Sequence, residues 1–186
     1  MTDLSLLGIC GALRAASTNR LLLAEAQRRF APAQYIEANL RLPLFDQDIE
    51  DGPGFPPEVL TLASQIGEAD AIVISTPEYN KGTPGVLKNA LDWVSRVEGN
   101  PWKGKPVAIV SAADGRAGGE RSQQMLRWCL NPFQPVVLPG PEVFVAQTSR
   151  QWDENGRLLD ERAGRGLDRL MAALRAEAER IRQTAQ

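Results

Sequence analysis

Residues 71–93, AIVISTPEYNKGTPGVLKNALDW, constrain the fold more than any other stretch of the chain. AIVIS is an apolar, β-branched run of the kind that a parallel sheet buries on both faces, and the closing residues GVLKNALDW carry apolar side chains at helical spacing. A polar loop bounded by Pro77 and Pro84 joins the two. Such a loop lies at the carboxyl end of its strand, where open α/β sheets bind ligands. Pro77, Glu78, Tyr79 and Asn80 are therefore expected to hold the ring of a cofactor.

The same strand, loop and helix sequence recurs along the chain. SLLGIC at 5–10 predicts a strand, and residues 19–30 a helix with Thr18 as N-cap and Leu23, Ala26 and Phe30 facing inward. Residues 34–38 form a weaker strand, and 40–57 a long acidic and proline-rich loop. A helix over 57–68, with Val59, Leu60, Ala63 and Ile66 inward, then leads into the strand 71–75. Lys105 and Pro106 introduce the strand VAIVSA, which ends in the glycine-rich loop ADGRAGG. A helix over 120–130, short strands at 136–138 and 143–146 separated by PGP, and a C-terminal helix lined by Leu167, Leu170, Met171, Leu174, Ala178 and Ile181 complete the pattern.

Strands alternating with helices predict an α/β fold in which helices cover both faces of a parallel sheet. With five strands, the economical arrangement is the flavodoxin-like three-layer sandwich of order 2-1-3-4-5, whose switch point gathers the loops after strands one, three and four. A length of 186 residues suits a single domain over 1–186. The helix predicted over 85–97 has two apolar rows, one of Leu87, Ala90, Leu91 and Val94 and one of Val86, Ala90, Trp93 and Val97. That stripe is wider than sheet cover requires, so a subunit contact is expected there.

Composition removes several classes of function. The chain has no histidine, which excludes Ser-His-Asp and Cys-His catalysis and histidine metal sites, and two cysteines, Cys10 and Cys129, are too few for a thiolate zinc site. A net charge of −2 gives no basic field for nucleic acid. No apolar run reaches the ~20 residues of a membrane span and no leader pattern is present, so small-molecule partners and a cytoplasmic location are expected. An enzyme without histidine chemistry points to an organic cofactor that brings its own reactivity.

Three loops carry that chemistry. In GALRAASTN, the hydroxyls of Ser17 and Thr18, the amide of Asn19, the guanidinium of Arg14 and the free N–H groups of the helix suit a phosphomonoester; helix capping alone explains the first three but not the arginine, whose cation is unfavourable at a helix N-terminus without an anion. Neither the P-loop nor the dinucleotide fingerprint fits. In the second loop Tyr79 supplies an aromatic face, while Glu78 and Asn80 supply polar groups. In the third, Gly115, Gly118 and Gly119 let backbone approach a ligand closely.

GALRAASTN, STPEYNKGTPGVLKNALDW and GRAGGERSQQMLR together resemble the NADPH-dependent FMN reductase family, which includes quinone, chromate and azo reductases. The resemblance covers roughly residues 4–146. It implies that Arg14, Ser17 and Asn19 bind the FMN phosphate, that Pro77, Glu78, Tyr79 and Asn80 hold the isoalloxazine and ribityl, and that Ser111, Gly115, Gly118 and Gly119 close the other edge. It further implies hydride transfer from NADPH or NADH at flavin N5 without a catalytic side chain, reduction of FMN, quinones, chromate, azo compounds or ferric complexes, and a homodimer or homotetramer through helix 85–97. Three roles stay open for Arg116, a cation inside the third loop that departs from the family pattern: narrowing the substrate cleft, attracting the NADPH phosphate, or an electrostatic role near the flavin's reducible edge. Ala12 departs from the serine often found in the family. A flavodoxin-like electron carrier and an FMN-dependent redox sensor are the alternatives; few aromatics, Arg14 and the near-neutral charge favour the enzyme.

Overall fold

A computed structural model describes residues 3–184. Strands β1 (Ser5–Cys10), β2 (Gln34–Ala38), β3 (Ala71–Ser75), β4 (Pro106–Ala112), β5 (Val136–Val137) and β6 (Val143–Val145) alternate with helices α1 (Thr18–Phe30), α2 (Gln47–Asp51), α3 (Pro57–Glu68), α4 (Gly85–Val94), α5 (Glu120–Leu130) and α6 (Glu161–Thr184). Every strand pairing is parallel, in the order β2-β1-β3-β4-β5. β6 also pairs with β4. The fifth position is thus shared: β5 lies against Pro106 and Val107, and β6 against Val110, Ser111 and Ala112. The PGP turn between them, expected to separate two strands, divides what would otherwise be one edge strand.

The period of two along each strand divides the core between the sheet faces. Leu6, Val73, Ala108 and Val110 point toward α1 and α6, whose Leu22, Phe30, Leu167 and Met171 meet them. Leu7, Ile9, Ile72, Ile74 and Ile109 point the other way, toward Leu62 and Ile66 of α3, Leu87 and Leu91 of α4 and Leu126 of α5. Because both faces are covered, the central strands are apolar throughout, as the AIVIS run required.

Four local expectations change. The N-cap of α1 is Ser17, whose side chain accepts from the Asn19 N–H, so Thr18 is the first helical residue. On α3, Leu62 occupies the inward position and Leu60 is 47% exposed. The helix expected through Val97 ends at Val94, with residues 95–97 in a turn. The 40–57 loop contains the short helix α2, capped by the Asp46 carboxylate.

That loop also accounts for much of the second apolar row on α4. Trp93 is fully buried; its Nε1 donates to the Pro43 carbonyl at 2.8 Å, and the rings of Phe45 and Phe55 stand edge-on to it at 5.0 and 6.5 Å. Asn89 completes the attachment, donating to the same carbonyl and accepting from the Phe45 N–H. The indole is therefore covered by its own chain. Val86 and Val97 are left half-buried.

Candidate functional site

The loops after β1, β3 and β4 leave one edge of the sheet side by side. Each continues its ladder by one bond before departing: Gly11 donates to the Ser75 carbonyl at 2.8 Å, Thr76 to Val110 at 2.9 Å and Ala113 to Val145 at 3.0 Å. Beyond these bonds the chains splay. Between the second and third loops opens a cleft of about 650 Å³ lined by Glu78, residues 113–119 and Arg121. Its size and its place at the switch point suit a small organic ligand.

Asn19 fixes the first loop to the other two. Its amide nitrogen donates to the Ala112 carbonyl at 2.8 Å, and its oxygen accepts from the Ser75 hydroxyl at 2.9 Å and the Ala112 N–H at 3.1 Å. The side chain is 2% exposed. It pins the start of α1 across the carboxyl ends of β3 and β4. Ser17 is likewise buried and engaged as the cap.

What the first loop presents outward is backbone and one cation. The N–H groups of Ala15 and Ala16 meet no acceptor among the described residues, and the N–H of Thr18, opening the helix, has no intrahelical acceptor. The first turn of α1 has no acidic residue to offset the positive end of its dipole, and Arg14 is exposed with no acid paired to it among the described residues. Unpaired N–H groups and a cation at a helix N-terminus are the features that favour an anion. Arg20, which sequence reasoning missed, holds the loop from beneath through the carbonyls of Arg14 and Ala12 and pairs with Glu37. Ala12 is packed in the core beside α1, and burial in the same region raises the Cys10 thiol pKa.

The second loop is a tight hairpin. Tyr79 and Gly82 exchange both backbone hydrogen bonds, at 3.1 and 3.0 Å, around Asn80 and Lys81, whose φ values of 50° and 65° are those of a type I′ turn. Tyr79 stands out from it, 54% exposed. The Glu78 carboxylate turns to the start of α5, accepting from the Arg121 N–H at 3.2 Å and lying 3.6 Å from its guanidinium. Thr76 and Ser122 share a buried hydrogen bond of 2.7 Å, and the Thr83 hydroxyl donates to the Ser122 carbonyl. Loop and helix are thus tied together at several points.

In the third loop, Ser111 donates to the Gly118 carbonyl at 2.6 Å and accepts from the Gln123 amide, which also donates to the Val143 carbonyl. Gly118 and Gly119 have φ of 58° and 97°; a Cβ would lie 2.9 Å from Phe144 Cβ at the first and 2.7 Å from Ser111 Cβ at the second. These glycines let the loop lie flat on the sheet edge, while Gly115 stands in open space with ordinary backbone. Ser149 donates through its N–H and hydroxyl to Asp114, holding that carboxyl below its usual pKa. Arg116 is exposed at the rim.

The sequence-derived residues therefore sort by position. Arg14, Thr18, Glu78, Tyr79, Asn80 and Gly115 lie on the loop surfaces, whereas Ser17, Asn19, Pro77, Ser111, Gly118 and Gly119 are buried in the framework beneath them. Thr76, Ser122 and Gln123 were missed, although each stands within four residues of a loop's end.

A parallel sheet of order β2-β1-β3-β4-β5, covered by helices on both faces and with three loops gathered at its switch point, is the flavodoxin-like arrangement. The family model of NADPH-dependent FMN reductases matches residues 4–150, and the chain belongs to that family. It is 41% identical to an NAD(P)H-dependent FMN reductase of Pseudomonas aeruginosa, over 97% of this chain and 98% of that one. A quinone reductase of Escherichia coli is 38% identical over 97% and 96% of the two chains. Among solved structures, the flavoenzyme NAD(P)H:(acceptor) oxidoreductase FerB of Paracoccus denitrificans superposes with a TM-score of 0.84 at 30% identity, covering 95% of this chain and 98% of that one.

Proposed function

We propose that the protein is an NAD(P)H-dependent flavin oxidoreductase that uses bound FMN to pass electrons from NADPH or NADH to FMN, quinones or other small acceptors such as chromate, azo compounds and ferric complexes. The observation that carries this reading is the pairing, on one sheet edge, of an uncompensated helix N-terminus beside Arg14 with the cleft between the second and third loops. The free N–H groups of Ala15, Ala16 and Thr18 with the Arg14 guanidinium fit a dianionic phosphate. The cleft and Tyr79 fit a planar ring.

Bound FMN supplies the hydride chemistry. The chain's own residues bind and orient. Arg14 and the α1 N-terminus hold the phosphate, with Ser17 and Asn19 fixing that backbone from below. Pro77, Glu78, Tyr79 and Asn80 form one wall, and Gly115, Gly118 and Gly119, seated on Ser111, form the other. Backbone N–H groups of the third loop and Arg116 oppose negative charge at the ring edge. The wall over 113–119 carries no aromatic side chain, so one ring face stays open to a second substrate, which favours a reductase over an electron carrier.

The whole chain, 1–186, acts in this reading as one cytoplasmic FMN-binding domain; none of its described helices is long and apolar enough to cross a membrane. A homodimer or homotetramer is part of the proposal, with Val86 and Val97 as the half-buried apolar residues left around α4. Reconstituted with FMN, the protein is expected to oxidise NADPH or NADH, followed at 340 nm, with a benzoquinone as acceptor. A flavin-loaded preparation that consumes neither nicotinamide removes the enzyme reading.

A further inference from the structure

Oxygen acceptors at Ser122 and Glu78 make most of the bonds between the second loop and α5. On the far side of the turn the acceptor is a sulfur: the Thr83 N–H donates to Met125 Sδ at 3.4 Å. Gly82 makes room for that approach, since a Cβ there would lie 3.0 Å from the same sulfur. Met125 stands one helical turn after Arg121, which lines the cleft, so the two share a face of α5. A thioether therefore helps to hold the hairpin whose entry, at Glu78, borders the cleft.

Exposure sets this sulfur apart from the other methionine of the described residues. Met125 is 39% exposed, whereas Met171 is 0% exposed in the core between the sheet and α6. A thioether is a weak acceptor and is open to two-electron oxidation, which turns a flexible apolar side chain into a polar one. The contact has no space for the change, because at these distances an oxygen cannot enter between Sδ and the Gly82–Thr83 backbone. An oxygen directed at the hairpin displaces it. One directed to solvent leaves a positively polarised sulfur facing the Thr83 N–H. Either orientation breaks the tie.

We propose that Met125 is an oxidation site, at which a peroxide converts the thioether to the sulfoxide and releases the turn of the second loop from α5. A sulfur–oxygen bond forms as the O–O bond breaks. Sulfur gives up two electrons to the peroxide, and the departing hydroxide takes the proton from the oxygen left on sulfur and becomes water. The loosened part is the turn at Asn80 and Lys81 together with the cleft wall that adjoins it, while the buried bond between Thr76 and Ser122 keeps the base of the loop in place. Enzymatic reduction of the sulfoxide restores the thioether, so the change is reversible.

The test exposes the full chain and its Met125→Leu variant to hydrogen peroxide, maps the oxidised peptides, and follows trypsin cleavage after Lys81, which is exposed at the tip of the turn. Leucine keeps the volume of the side chain and cannot be oxidised. Met125 is expected to gain one oxygen while Met171 stays reduced. Cleavage after Lys81 is expected to become about fivefold faster, the equivalent of one lost hydrogen bond of ~1 kcal/mol. Treatment with methionine sulfoxide reductase should return the original rate, and peroxide should leave the rate of the leucine variant unchanged. Oxidation of Met171 as fast as Met125, an unchanged rate in the oxidised wild type, or the same rise in the leucine variant overturns the proposal. Neither readout needs a bound flavin, so the result stands or falls apart from the flavin assignment.

Discussion

Asn19→Ala lowers the stability of the protein by about 4 kcal/mol, because it leaves the buried Ser75 hydroxyl and both backbone groups of Ala112 without the partners they have now. For a chain of this length that corresponds to a Tm lower by roughly 8–16 °C. The affected groups lie at the junction of β3, β4 and α1, so the loss extends beyond one side chain. Asn19→Asp is the informative companion: it keeps the acceptor, removes the donor to the Ala112 carbonyl and brings a carboxylate into a site that is 2% exposed. Both variants should melt well below wild type. A melting curve within two or so degrees of wild type would show that the amide faces outward and is free to contact a ligand.

Gly119→Ala has the second largest effect, about 3 kcal/mol, from two sources that add. An L residue at φ 97° is strained, and the new methyl would come within 2.8 Å of both Cβ and Oγ of Ser111, which is itself buried and hydrogen-bonded. Relief requires the third loop to lift from the sheet edge. The variant should therefore melt roughly 6–12 °C lower and lose flavin retention in the same step. Gly115→Ala is the matched comparison, with open space around the position and ordinary backbone, and should change stability by no more than about 0.5 kcal/mol. Equal effects at the two positions would contradict a loop seated on Ser111.

The architecture was legible because its signals are local and periodic. The uniformly apolar AIVIS and VAIVSA could only be strands covered twice, and the helices between them carried inward rows that the core repeats. Leu60 and Leu62 show the limit of such reasoning: both fit an apolar stripe on α3, and only the direction from which the sheet approaches decides that Leu62 is inside. The wide stripe on α4 shows a second limit. Trp93 looked like surface awaiting a partner, yet Pro43, Phe45 and Phe55 cover it from a loop that periodicity cannot dock.

For the site, residue types were readable and their duties were not. Serine, threonine and asparagine before a helix announce polar contacts, but which of them faces a ligand depends on how deep each sits. The structure commits Ser17 and Asn19 to the framework and leaves backbone N–H groups and Arg14 outward. Asn80 was read as a polar contact, and its positive φ shows that it also serves a two-residue turn with no Asn-Gly pair to advertise it. Gln123 gave no signal because its partners, Ser111 and the Val143 carbonyl, come from two distant strands.

In the proposed reading the α1 N-terminus with Arg14 holds the phosphate of a flavin whose ring lies across the other two loops. Titrating FMN and riboflavin, which share the ring and differ by the phosphate, into wild type and Arg14→Ala and following flavin fluorescence tests it most directly. The predicted result is tighter binding of FMN than of riboflavin by wild type, with Arg14→Ala weakening FMN by about tenfold and leaving riboflavin unaffected. Equal affinity of wild type for the two flavins, or an equal loss for both in the variant, would contradict it.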